Sequence, residues 1–125
     1  MSNLRVLIAE EELGVARLLE VLMKRKGYRT SVVPDGIQAI SEARDAPPDL
    51  ILIDSILPIR DGLEVLDELK QDPETAEIPV VLLTTEEALE LHPEPQVAHI
   101  TKPFDLRGLD AVVEQALLSK VHAVS

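Results

Sequence analysis

Leu50-Ile51-Leu52-Ile53-Asp54, continued by Ser55-Ile56-Leu57-Pro58-Ile59-Arg60-Asp61-Gly62, is the stretch from which the fold is read. Its aliphatic run has no polar alternation, which suits a strand buried on both faces, as in the inner strands of a parallel sheet covered by helices. Asp54 ends that strand. In open α/β sheets chemistry gathers at the carboxyl ends of the strands, so a carboxylate delivered there is placed for work. Taken alone, Asp54 could equally be a strand terminator, since Asp is common at such boundaries. Pro58 and the Asp61-Gly62 pair break the chain and let the next helix begin.

Working outward, Leu4 to Ala9 reads as a first buried strand that runs into Glu10-Glu11-Glu12. These acids could favour the positive end of the following helix, or form the second half of an acidic pocket beside Asp54. From Leu13 to Lys26, apolar Val15, Leu18, Leu19 and Leu22 recur at helical spacing, with Glu20 and Lys24 four apart on an exposed face. Tyr28 to Val33 is a second strand, and Ile37 to Arg44 a short helix ended by Pro47-Pro48. Gly62 to Gln71 carries Leu63, Leu66 and Leu69 on one side of a third helix, and Val80 to Thr84 is a fourth strand.

Glu86 to Leu91 has room for under two helical turns before His92-Pro93-Glu94-Pro95, where the prolines exclude helix. Val97 to Thr101 reads as a fifth strand, Lys102-Pro103-Phe104 as the turn after it, and Leu106 to Val121 as a closing helix that buries Leu109, Val113, Ala116 and Leu117. Strand and helix alternate throughout. This order predicts right-handed crossovers and a doubly wound α/β sheet of five parallel strands, with helices on both faces and a fourth helix that is short or broken.

The 125 residues fit a single domain, 1–125, large enough to bury roughly two thirds of the surface of its unfolded chain. Hydrophobic residues make up 46% of the sequence and aromatics only 2%, so the core must be aliphatic. There is no cysteine, hence neither disulfides nor thiolate metal sites. The N-terminus lacks a signal-peptide pattern, and no apolar run approaches the ~20 residues of a membrane span. A cytoplasmic protein without membrane contact is expected. The formal net charge of −11 argues against nucleic-acid binding, which needs Lys and Arg to meet phosphates. The basic cluster Lys24-Arg25-Lys26 reads as the solvated C-terminus of the first helix.

At the carboxyl edge such a sheet brings together Glu10, Glu11, Asp54, Thr84 and Lys102. Like charges gathered closely are unfavourable unless a cation sits among them or one stays protonated. An oxygen-only cluster suits Mg²⁺.

On the segments Val6-Leu7-Ile8-Ala9-Glu10-Glu11, Asp54-Ser55-Ile56-Leu57-Pro58 with Asp61-Gly62, Pro79 to Thr84, and Thr101-Lys102-Pro103-Phe104, the chain resembles the receiver domain of two-component response regulators over nearly its whole length. The resemblance implies the flavodoxin-like strand order 2-1-3-4-5. It also implies that Asp54 takes a phosphoryl group from a phosphohistidine on a sensor histidine kinase or histidine phosphotransfer protein, and that a downstream protein reads the result. By the same resemblance, Mg²⁺ is held by Glu11, Asp54 and the carbonyl of Ile56, with Glu10 acting nearby through water. Lys102 pairs with a phosphoryl oxygen, Thr84 donates its hydroxyl to another, and Lys102-Pro103 is a cis peptide.

The sequence departs from the family in three places. The acidic pair, usually Asp-Asp or a mix with one Glu, is Glu10-Glu11, whose extra methylenes push the carboxylates further into a site where Mg²⁺ demands near-octahedral geometry. His99 occupies a switch position that is usually aromatic and coupled to Thr84. Pro93 and Pro95 interrupt the segment between Thr84 and Lys102. These departures support an alternative: a pseudo-receiver that binds protein without phosphorylation. An enzyme is not expected. A phosphohydrolase with an aspartyl intermediate would want an acid two residues after its nucleophile, where Ile56 stands. A flavin domain of this fold would want phosphate-binding turns and stacking aromatics, and Tyr28 and Phe104 are the only aromatics.

Overall fold

The computed structural model describes residues 3–91 and 97–124. Strands β1 (Arg5–Ala9), β2 (Arg29–Val33), β3 (Leu50–Asp54), β4 (Val80–Thr84) and β5 (Ala98–Thr101) alternate with helices α1 (Leu13–Arg25), α2 (Gly36–Asp45), α3 (Gly62–Gln71), α4 (Glu86–Leu91) and α5 (Leu106–Val124). The strands form one parallel sheet in the order β2-β1-β3-β4-β5, as the alternation and the resemblance led us to expect.

All of β3 is buried. Because successive side chains of a strand point to opposite faces, that burial requires a layer on each side. One layer is α2 and α3, whose Ala39, Ile40, Ala43, Val65, Leu66 and Leu69 pack with Leu7, Ile51, Ile53 and Leu82. The other is α1 and α5, whose Leu19, Leu22, Met23, Leu109 and Val113 pack with Val6, Ile8, Leu50, Leu52, Val81 and Leu83. Parity along each strand thus decides which helices a residue meets.

The observed elements correct the sequence reading in detail. Leu18 is 46% exposed, while Ala16 and Met23 join Leu19 and Leu22 on the buried side of α1. The buried stripe is rotated from the one expected because a small alanine, which carries little hydrophobic signal, faces the sheet. Val65 takes a place on the buried side of α3, with Leu63 only partly buried. β1 starts at Arg5, β2 at Arg29 and β5 at Ala98, each one residue later than expected, and α5 runs on to Val124. α4 is six residues long, the short helix foreseen, and Pro93 and Pro95 lie outside the described residues. Among the described residues no helix is long and apolar enough to cross a membrane.

The starts of α2 and α3 are fixed by side-chain caps. Asp35 accepts the Gln38 N–H at 2.8 Å at the start of α2, and Asp61 Oδ1 accepts the Leu63 and Glu64 N–H groups at 3.0 Å at the start of α3. At the other end of α1, Lys26 pairs with Glu114 and, at 3.8 Å, with Asp110, so the basic cluster ties α1 to α5.

Gly62 is required by close approach. A Cβ there would lie 2.1 Å from the Asp54 carbonyl oxygen, a backbone atom that cannot move aside without shifting β3. Gly14, by contrast, has nothing within 4 Å of the corresponding position. Gly62→Ala should therefore cost about 2 kcal/mol or more in urea denaturation, through overpacking against backbone. Gly14→Ala should gain about 0.5 kcal/mol, through lost freedom of the unfolded chain. Wild-type stability in Gly62→Ala would contradict the close contact.

Candidate functional site

At the carboxyl edge of the sheet, three strand ends and one loop deliver polar side chains into a largely apolar surround. Glu10 follows β1 and is still held to the ladder, its N–H donating to the Val33 carbonyl at 3.1 Å. Asp54 ends β3, Thr84 ends β4, and all three are buried. Lys102 follows β5, its N–H donating to the Thr84 carbonyl at 2.7 Å, so the lysine's backbone is fixed by the strand that carries the threonine. The Lys102–Pro103 peptide bond is cis.

The side chains converge on Asp54. Its Oδ1 accepts the Ile56 N–H at 2.9 Å, and its Oδ2 accepts from Lys102 Nζ. Lys102 Nζ also stands 4.0 Å from Glu10 Oε2. Glu10 Oε1 accepts the Glu12 N–H at 3.3 Å, whereas Oε2 is buried with no hydrogen-bond partner among the described residues. Of the acidic run, only Glu10 turns inward; Glu11 and Glu12 are exposed. Ile56 points its side chain outward, 73% exposed, and leaves its backbone in the site. His99 is exposed on β5 in register with Leu82, away from the Asp54–Lys102 pair's own hydrogen bonds. As the side chains stand, no three His, Cys, Asp or Glu residues among those described are grouped to hold a metal ion.

The electrostatics follow from burial. Glu10 is pushed up from 4.5 to about 8, first by burial and then by the neighbouring negative Asp54, against the opposing Lys102 charge and Glu12 N–H. Its surroundings therefore favour the protonated carboxyl over the carboxylate. Burial works against the charge of Lys102, but its hydrogen bond to Asp54 and the charges of Asp54, Glu10 and Glu12 prevail and hold its pKa above the ordinary lysine value. The pocket so balanced contains one ammonium, one carboxylate and one carboxyl.

Two features had no signal in the sequence. Ile59 takes a positive φ of 70°, a conformation that a β-branched residue gives no reason to expect. Arg60 spans from the loop after β3 to Glu64 and Glu68 of α3, at 3.1 and 3.0 Å. The Pro58 and Asp61-Gly62 turn signals located the loop but not its shape.

Because Glu10 binds its proton more tightly folded than unfolded, stability should fall as pH rises from about 4.5 through about 8. In chelator, thermal unfolding of wild type should move to lower temperature across that window, while Glu10→Gln should stay nearly flat. Parallel curves for the two proteins would show that Glu10 is not held protonated by its surroundings.

Comparison with known proteins places this geometry. Residues 6–114 match the family model of the response regulator receiver domain. The chain is 31% identical over 121 residues to sporulation initiation phosphotransferase F of Bacillus subtilis, covering 94% of this chain and 96% of that protein. It is 32% identical to the DNA-binding dual master transcriptional regulator RpaA of Synechocystis, of which it spans 51%. Among solved structures, the receiver domain of the sensor histidine kinase PA1611 from Pseudomonas aeruginosa, with a magnesium ion coordinated in its active site cleft, superposes with a TM-score of 0.84 at 25% identity, covering 93% of this chain and 98% of that one. The signal receiver domain of a histidine kinase from Syntrophus aciditrophicus gives 0.83 at 30% identity, covering 92% and 90%. With a five-stranded 2-1-3-4-5 sheet, a buried acid at the end of β3 and a lysine facing it, the chain belongs to the receiver domain family of two-component response regulators.

Proposed function

We propose that Asp54 is a phosphoacceptor, taking a phosphoryl group from the phosphohistidine of a sensor kinase or histidine phosphotransfer protein in the cytoplasm and passing the signal on by contact with a downstream protein. The observation that carries this reading is the buried Asp54 carboxylate, oriented by the Ile56 N–H and held against Lys102 at the end of a rigid strand. Transfer of this kind needs positioning and charge neutralisation more than covalent machinery.

In the proposed step an Asp54 carboxylate oxygen attacks phosphorus, the P–N bond to the donor imidazole breaks, and the nitrogen keeps the electron pair. Lys102 then exchanges its carboxylate partner for a phosphoryl oxygen, a short move because it already faces Asp54. Thr84, buried at the end of the neighbouring strand, donates its hydroxyl to a second oxygen and couples the event to α4. His99 on β5 lies on the side where such a change would be read.

The donor set fits a hard cation: it is all oxygen, and the buried Glu10 Oε2 lacks a partner that a cation would supply. Asp54, the Ile56 carbonyl and the acids Glu10 and Glu11 would hold Mg²⁺, which when bound neutralises charge on the phosphoryl oxygens. Glu11 would have to turn inward from its exposed position to take part.

A second reading has its own support. The pocket is already balanced, with Lys102 satisfied by Asp54 and Glu10 carrying a proton, so a pseudo-receiver that binds its partner without phosphorylation needs no further charge.

Intact mass after incubation with Mg²⁺ and a small phosphodonor separates the two. The phosphoacceptor reading expects one phosphoryl addition that is absent in Asp54→Asn and without magnesium; no addition, together with no Mg²⁺ binding, favours the pseudo-receiver. If the exposed Ile56 side chain hinders water at the mouth, the acyl phosphate of wild type should outlast that of Ile56→Asn severalfold, read by the same mass measurement over time. Equal lifetimes would remove that role.

A further inference from the structure

Ile59 is the non-glycine residue with positive φ among those described. In the left-handed region an L residue brings its Cβ too near the following carbonyl, and a branched Cβ makes this worse. The turn is closed by the Arg60 N–H donating to the Pro58 carbonyl at 2.7 Å, a three-residue turn of the hand that is rare and strained. Burial does not offset the strain, because the Ile59 side chain is 70% exposed.

The surroundings fix both flanks of this turn. The Pro58 carbonyl also accepts the Gly36 N–H, at 3.3 Å, from the first turn of α2. Gly36 sits so close that a Cβ there would lie 1.9 Å from the Arg60 carbonyl oxygen. The Arg60 guanidinium reaches Glu64 and Glu68 of α3, and Glu68 also takes Arg44 of α2 at 3.4 Å. On the other side Leu57 is buried and the Gly62 N–H donates to the Ser55 carbonyl at 3.0 Å. A high-energy residue is thus held at the centre of a loop clamped to α2, α3 and the end of β3.

We propose that the Pro58–Arg60 turn is a strained latch: it opens locally when Ile59 leaves the left-handed region, breaking the Arg60 and Gly36 N–H bonds to the Pro58 carbonyl, and Ile59 sets how often this happens. Strain held in a structured loop lowers the free energy of its local opening relative to global unfolding. The turn begins two residues after Ile56, whose N–H orients Asp54, so its opening takes place beside the pocket. The inference rests on backbone geometry and does not depend on whether Asp54 is phosphorylated.

Native-state amide exchange by NMR on the full chain tests it, comparing wild type with Ile59→Gly, Ile59→Ala and Arg60→Ala. In Ile59→Gly the Gly36 and Arg60 amides should exchange about tenfold more slowly, the factor expected for relief of left-handed strain. Amides of β1 and β3 should change much less, Ile59→Ala should fall between glycine and wild type, and Arg60→Ala should speed the same two amides. Unchanged or faster exchange of Gly36 and Arg60 in the glycine variant would overturn the latch, as would a change shared equally by the core strands. So would equal slowing by alanine and glycine, which would assign the effect to the exposed side chain.

Discussion

A strand whose side chains are buried on both faces exists only between two layers, and β3 imposes that requirement on the whole chain. Its Leu50 and Leu52 need α1 and α5; its Ile51 and Ile53 need α2 and α3. The crossovers must therefore place helices on alternate sides. Asp54 inherits the rigidity of this arrangement. It continues the strand in register with Leu83, and Gly62 packs directly on its carbonyl, so its carboxylate projects from a backbone with no room to move.

Rigid placement matters because the charges around Asp54 are nearly balanced without help from outside. Lys102 supplies the compensating cation from the turn after β5, and burial favours the uncharged form of Glu10. Glu10 lies buried in the pocket while its Oε1 takes the Glu12 N–H.

Much of this was legible in the sequence, for reasons that differ by residue. Leu50 to Asp54 announced itself because an unbroken aliphatic run of strand length has one comfortable place in a protein of this size. The strand and helix alternation then implied a parallel sheet with helices on both faces, the resemblance supplied the strand order, and the strand ends placed Glu10, Asp54, Thr84 and Lys102 along one edge. What stayed hidden depends on geometry that composition does not encode. Adjacent glutamates look alike, yet Glu10 is still bonded to the β2 ladder and turns in, while Glu11 has left it. Leu18 is as apolar as Leu19, and only the small Ala16 beside the sheet shows which of them faces it. Ile59 sits where no residue preference would place it, because its φ is set by contacts of its neighbours with α2 and α3.

The central claim is that Asp54 and its partners form one coupled site for a cation and a phosphoryl group. A Mg²⁺ titration followed by two-dimensional NMR of backbone amides tests it most directly, in wild type and Asp54→Asn. The account predicts saturable shifts confined to residues 10–12, Asp54 to Ile56, and Lys102, all lost in the variant. Absence of shifts, or shifts spread over the acidic surface and retained in Asp54→Asn, would contradict it.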